Sequence, residues 1–112
     1  MQRKEVEAYV KDKYQTTPEF MWKKYPSYAV LRHQDNRKWY GLLMTVERGQ
    51  LGSEEIMDIK LDPKEVELRQ GTAGFLPAYH MNKSNWLSVR LSQVPEKQIC
   101  DLIDESYQIT QA

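Results

Sequence analysis

Two helical apolar stripes lie at the ends of this chain and mostly short period-two segments lie between them, an order that leaves few architectures open. Residues 3–14 place Val6, Tyr9, Val10 and Tyr14 at helical spacing, with charged residues filling the other face. Thr16-Thr17-Pro18 stops that helix, because proline lacks the amide donor and restricts the residue before it. At the other end Pro95 opens a helix in which Ile99, Leu102, Ile103, Ser106 and Tyr107 share one face, with Cys100 beside them. A stripe of this kind must be buried against something, and the intervening chain offers a sheet.

Tyr28–His33 and Trp39–Val46 read as paired strands around the turn Gln34-Asp35-Asn36-Arg37, where Asp and Asn tolerate the left-handed conformation. Tyr40, Leu42, Met44 and Val46 are expected on the core face. The loop 47–55 contains Gly49 and Gly52. In Ile56–Leu61, Met57, Ile59 and Leu61 point inward, and Asp58 and Lys60 outward. Asp62 then caps a short helix, Pro63 takes its first position, Glu65 completes a capping box, and Gly71 ends it. Residues 72–85 read mostly as loop. Trp86–Leu91 is a strand with Leu87, Val89 and Leu91 inward and Ser88 and Arg90 outward. Short connections favour an antiparallel sheet. The expected fold class is α+β: a two-layer sandwich over residues 1–112, with a sheet of four or more strands. Its terminal helices cover one face, and the other shows Asp58, Lys60, Ser88 and Arg90 to water.

A chain of 112 residues with 40% hydrophobic and 29% charged residues is one ordinary globular domain. Its net charge is zero, which removes the simplest argument for nucleic acid. The charge is unevenly spread. Residues 1–48 hold ten Lys/Arg against six Asp/Glu, and residues 49–112 hold six against ten. The basic excess is densest from Lys23 to Lys38. One cysteine allows no internal disulfide and no cysteine-based zinc site, which fits a reducing cytoplasm. No apolar run approaches membrane-spanning length, so no membrane association is expected.

The run Pro77-Ala-Tyr-His-Met-Asn-Lys-Ser-Asn-Trp86 gathers most of the chemistry. His80, Asn82, Lys83 and Asn85 together could cradle a phosphate, through one point charge and several donors. The same residues could equally be turn formers around a packed Trp86. Arg32, Arg37 and Lys38 beside Trp39 could neutralise backbone phosphates and stack on a base or sugar; the plainer reading is a polar hairpin with packed aromatics. Lys60 and Arg90 would extend that patch. Catalysis finds no constellation. His33 and His80 are far apart in sequence, no nucleophile elbow, Gly-rich phosphate loop or metal motif is present, and the acidic neighbours of Cys100 would raise its pKa.

Ile59-Lys60-Leu61-Asp62-Pro63, the block from Pro77 to Trp86, Val94-Pro95-Glu96 and Ser106-Tyr107 follow one another in an order and spacing that resemble the MmcQ/YjbR-like proteins. Lys38-Trp39-Tyr40 before an apolar strand is similar to that family's second strand. The resemblance implies a CyaY-like (frataxin-like) fold. It also implies a proposed "double-wing" DNA-binding role, through shape and surface charge. The expectation is therefore a cytoplasmic, monomeric, non-enzymatic domain without cofactor or metal. It would bind DNA through phosphate contacts from Arg32, Arg37, Lys38, Lys60, His80, Asn82, Lys83 and Arg90. The alternative is a protein- or small-ligand-binding module using the open sheet face and the His80–Trp86 loop, with Trp39 or Trp86 as anchor.

Overall fold

The computed structural model describes residues 1–111. The elements run α1 (Arg3–Tyr14), β1 (Ala29–Arg32), β2 (Trp39–Glu47), β3 (Ser53–Lys60), α2 (Pro63–Arg69), β4 (Phe75–Pro77), β5 (Trp86–Arg90) and α3 (Glu96–Ile109), with a short 3-10 turn at Gly49–Leu51. The α+β expectation holds. The sheet is antiparallel throughout, in the order β1-β2-β3-β5-β4. The fifth strand, β4, lies in the segment expected as loop. Three residues, one of them proline, are too few to show a period, and they pair only along the edge of β5.

All three helices pack on one face. Val6 and Val10 of α1, Val66 of α2 and Ile99, Leu102 and Ile103 of α3 bury against Leu31, Leu43, Met57, Ile59, Leu87 and Val89. Asp104 of α3 accepts bonds from Tyr9 (2.9 Å), Tyr14 (2.5 Å) and Lys13 (2.9 Å), and Tyr14 stacks on Tyr107 at 3.7 Å, which locks α1 to α3. Asp62 caps α2 through the Lys64 amide, as expected. The capping box does not form, because Glu65 instead pairs with Arg69 one turn on.

The face assigned to β2 needs correction. Tyr40 packs on the helix side with Leu43, whereas Leu42, Met44 and Val46 line the opposite face. The cause is an irregularity in the β1–β2 ladder: Leu31 pairs with Gly41, and Arg32 with Trp39. The bulge rotates Tyr40 into the helix core and ends regular β2–β3 pairing at Gly41–Ile59. The hydroxyl of Ser106 fills the gap. It donates to the Tyr40 carbonyl (2.6 Å) and accepts from the Lys60 amide (2.9 Å).

The second correction is larger. The other sheet face is not open to water. Asp58 and Ser88 are fully buried, and Val30, Leu42, Met44, Val46 and Ile56 form a second apolar cluster beneath Tyr28, Trp22, Trp39, Tyr79 and Met81. The cover is irregular chain. The segment after α1 pairs once with the β1 edge, between Glu19 and Val30, and then folds back over the face. The loop after β4 meets it from the other side.

Ser106→Ala should lower stability by about 2–4 kcal/mol, because two buried backbone groups lose their partner. That would move the thermal midpoint down by roughly 10 °C. A loss under about 0.5 kcal/mol would show that water replaces the hydroxyl without cost.

Candidate functional site in the aromatic layer

The residues expected on phosphate are held in different ways. Arg32 lies with Nε 3.1 Å from Glu19 and reaches the Met21 sulfur at 3.1 Å, so most of its side chain is buried. Arg37 is exposed but shares the same Glu19 at 3.7 Å. It also takes the left-handed backbone (φ 64°) that Asp35 or Asn36 was expected to supply. Asn36 instead uses its side chain to accept from the Lys38 amide and to donate to the Thr110 carbonyl, tying the hairpin tip to the end of α3. Lys38 is exposed beside Trp39, and Lys60 pairs with Trp86 at one end of β3–β5. Arg90 sits at the other end, against Ile56.

Arg90 is committed elsewhere. It binds Glu54 at 2.6 Å, Glu54 binds Arg48 at 3.0 Å, and Arg48 donates to the Tyr79 hydroxyl at 2.9 Å. The bonds from Arg90 and Arg48 hold Glu54 below the usual carboxylate range despite partial burial. This chain of contacts pins Tyr79 across the second sheet face. At its other end the Tyr79 amide donates to Ser88 Oγ (3.2 Å), and Ser88 in turn donates to Asp58 Oδ1.

Asp58 Oδ2 is buried without a hydrogen-bond partner. Burial pushes the Asp58 carboxyl up to about 7, against the opposing effects of the Ser88 hydroxyl, the Tyr79 amide and the Lys83 ammonium. Asn82 gives the loop its shape: its side chain accepts from the Ser84 amide (2.8 Å) and its carbonyl from Trp86 (3.0 Å). Trp86 is buried and is no exposed anchor. Lys83 is exposed.

The residues that do converge are aromatic. Trp22, Tyr25, Tyr28, Trp39, His80 and Met81 surround a cavity of about 230 Å³ floored by Leu42. The ring planes of Tyr28 and Trp39 stand at 78° and 80° to that of Trp22, with centroids 6.3 and 5.9 Å away. Tyr25 stacks on Tyr28 at 4.7 Å. His80 is exposed at the rim, with φ 62° and its Nε2 3.5 Å from the Tyr28 hydroxyl. Burial, and then the neighbouring Tyr25 and Asp58, hold the Tyr28 hydroxyl above its ordinary range. A wider, shallower groove lies beyond Tyr28 and His80, edged by Lys24, Thr45 and Glu47. Of the residues expected on phosphate, His80 lines the pocket, and so does Trp39, the anchor expected of a ligand-binding module. Trp22, Tyr25 and Tyr28 give one sequence signal, aromatic density in a stretch without periodicity. Asp58 gives none, since a polar residue alternating with apolar ones normally marks a solvated face.

His33 and Cys100 do not line the pocket. His33 is buried between Tyr40 and Tyr107, its Nε2 2.8 Å from Thr110 Oγ1, and burial lowers its pKa. Burial and the acidic neighbours Glu96, Asp104 and Asp101 raise that of Cys100. Among the described residues no group of three or more His, Cys, Asp or Glu could hold a metal ion, and no helix is long and apolar enough to cross a membrane.

The Asp58 carboxyl sets a pH dependence. Its folded pKa lies above its unfolded value, so the folded chain holds the proton more tightly. Stability from this group is full below about pH 4 and is lost as pH rises to about 7. Asp58→Asn should therefore stabilise the protein by about 1–3 kcal/mol near pH 8 and by little near pH 4. Equal effects in urea unfolding at both values would contradict the burial of that charge.

The YjbR family model matches residues 11–109. The chain is 40% identical to the uncharacterised protein YyaQ of Bacillus subtilis (strain 168), over 96% of this chain and 97% of that one. A crystal structure of a Pseudomonas syringae protein, a structural-genomics target, is 39% identical and superposes with a TM-score of 0.93, covering 98% and 99% of the two chains. The crystal structure of Deinococcus radiodurans protein DR2400, a DUF419 domain, is 22% identical with a TM-score of 0.72, covering 95% of this chain and 75% of that one. At that identity it shows the shared fold alone.

Proposed function

The chain belongs to the YjbR family, and from that premise we propose that it is a binding module whose ligand enters the aromatic pocket between the 18–28 connector and the His80–Met81 loop. One observation carries this reading. Several large aromatic side chains from three separate segments meet over the apolar sheet face and leave one small cavity among them, floored by Leu42. Aromatic side chains with half-exposed faces and a polar rim are what small-ligand sites are built from. The Tyr79 clamp supports it further, because it fixes the loop that carries His80 and Met81 before any ligand arrives. The single half-buried cysteine is compatible with a cytoplasmic setting.

Protein-observed NMR with a small-fragment library tests the reading. Shifts should concentrate on the Trp22 and Trp39 indoles, Tyr28 and the Met81 methyl. Trp22→Leu should weaken those fragments about tenfold or more, as loss of a buried aromatic anchor does. Shifts scattered over the surface, or centred on another hollow, would remove it.

Nucleic-acid backbone binding is the second reading. It is favoured by the exposure of Arg37, Lys38, His80, Asn82 and Lys83. With Arg32 and Arg37 sharing Glu19 and Arg90 on Glu54, the number of phosphates neutralised falls to about two or three, giving a log–log salt slope of about −2 to −3. Lys83→Ala should flatten that slope by about one unit. No change in anisotropy of labelled duplex or single-stranded DNA at low salt would discard this reading.

A further inference from the structure

We propose that the pocket takes a quaternary ammonium group, carried by a small ligand, which rests against the ring faces of Trp22, Tyr28 and Trp39 with the Asp58 carboxylate beneath its floor. The inference rests on the pocket reading above and adds the chemistry of the ligand.

Three observations carry it. The first is the disposition of the rings. Trp22 is nearly perpendicular to both Tyr28 and Trp39, so the three rings that line the cavity surround a guest with differently oriented planes. Each face carries negative charge density that attracts a cation, most strongly for tryptophan and when water is excluded. The second is charge. No lysine or arginine lines the cavity. Leu42, its floor, is the cross-strand partner of Asp58, which places that side chain within about 5 Å of the floor. The carboxylate has one oxygen bonded by Ser88 and the other bonded by nothing. Its field reaches the pocket wall, since it acts on the Tyr28 hydroxyl.

The third is size. The cavity of about 230 Å³ lies below the roughly 300–1,000 Å³ of pockets for drug-sized ligands, so a group as small as choline suits it. A hydrated primary ammonium would lose its water shell to rings that cannot hydrogen-bond it, whereas a methylated one carries apolar groups that fit an apolar wall. Two lysines oppose the cation. Lys24 Nζ lies 5.7 Å from the Tyr25 ring centre, and the Lys83 charge is felt at Asp58. Selectivity therefore comes from desolvated contact with the rings and not from a net negative field.

The test compares choline with 3,3-dimethylbutan-1-ol, which has the same shape and no charge. Both are titrated near pH 8, where the Asp58 carboxyl is ionised, and both are followed by the Trp22 and Trp39 indole signals. Choline should bind about tenfold more tightly than the neutral alcohol. Trp39→Leu should erase most of that difference while the alcohol still binds. Asp58→Asn, which preserves shape, should reduce it about threefold. Equal binding of the two compounds would overturn the cation assignment and leave the pocket reading standing. If neither compound shifts the indoles while other fragments do, the ammonium assignment likewise fails. If no fragment binds at all, the pocket reading fails with it.

Discussion

A sheet with two apolar faces and helices for only one of them must find a second cover, and the rest of this structure follows from that constraint. The helix side is conventional, with three apolar stripes over Leu31, Leu43, Met57 and Ile59. The other side carries Val30, Leu42, Met44, Val46 and Ile56. Leaving them wet would forgo about 1.5–3 kcal/mol for each large side chain. The chain covers them with two irregular segments that are dense in aromatics, because a few Trp and Tyr hide much area without needing a regular element.

Irregular cover has to be fastened, and the fastenings account for most of the polar chemistry. Glu19 joins the connector to the β1 edge by backbone bonds and holds Arg32 and Arg37 with its side chain. Tyr79 is held at its hydroxyl by the Arg48–Glu54–Arg90 series and at its amide by Ser88. Three of the charges expected on phosphate, Arg32, Arg37 and Arg90, therefore meet carboxylates of the chain itself. The same fastenings leave a cavity where the two segments meet. Trp22, Tyr25, Tyr28 and Trp39 line it.

Much of the helix layer was legible in the sequence. Val6, Val10, Ile99 and Leu102 sit at helical spacing, Met57–Leu61 and Leu87–Leu91 alternate, and Asp62-Pro63 marks a helix start. What period-two patterning cannot register is a change of phase. Tyr40 and Leu42 look like one face until a bulge turns them apart. Nor can it register a polar residue buried on purpose. Asp58 and Ser88 alternate with apolar neighbours as solvated residues do, and only the fold brings them together under Tyr79. The aromatic pocket was legible only as composition. Its members come from an irregular connector, from β2 and from the loop after β4, so nothing in their spacing announces that they meet. The same limit applied to Arg37, whose left-handed backbone was expected of Asp35 or Asn36.

The buried second face is the central claim, and Asp58 reports on it most directly. The carboxyl carbon of Asp58, followed by NMR across a pH titration of the intact protein, should titrate with a midpoint near about 7. A midpoint near the ordinary aspartate value of about 3.9 would mean that water reaches the carboxylate. The aromatic layer would then not close over the sheet as described.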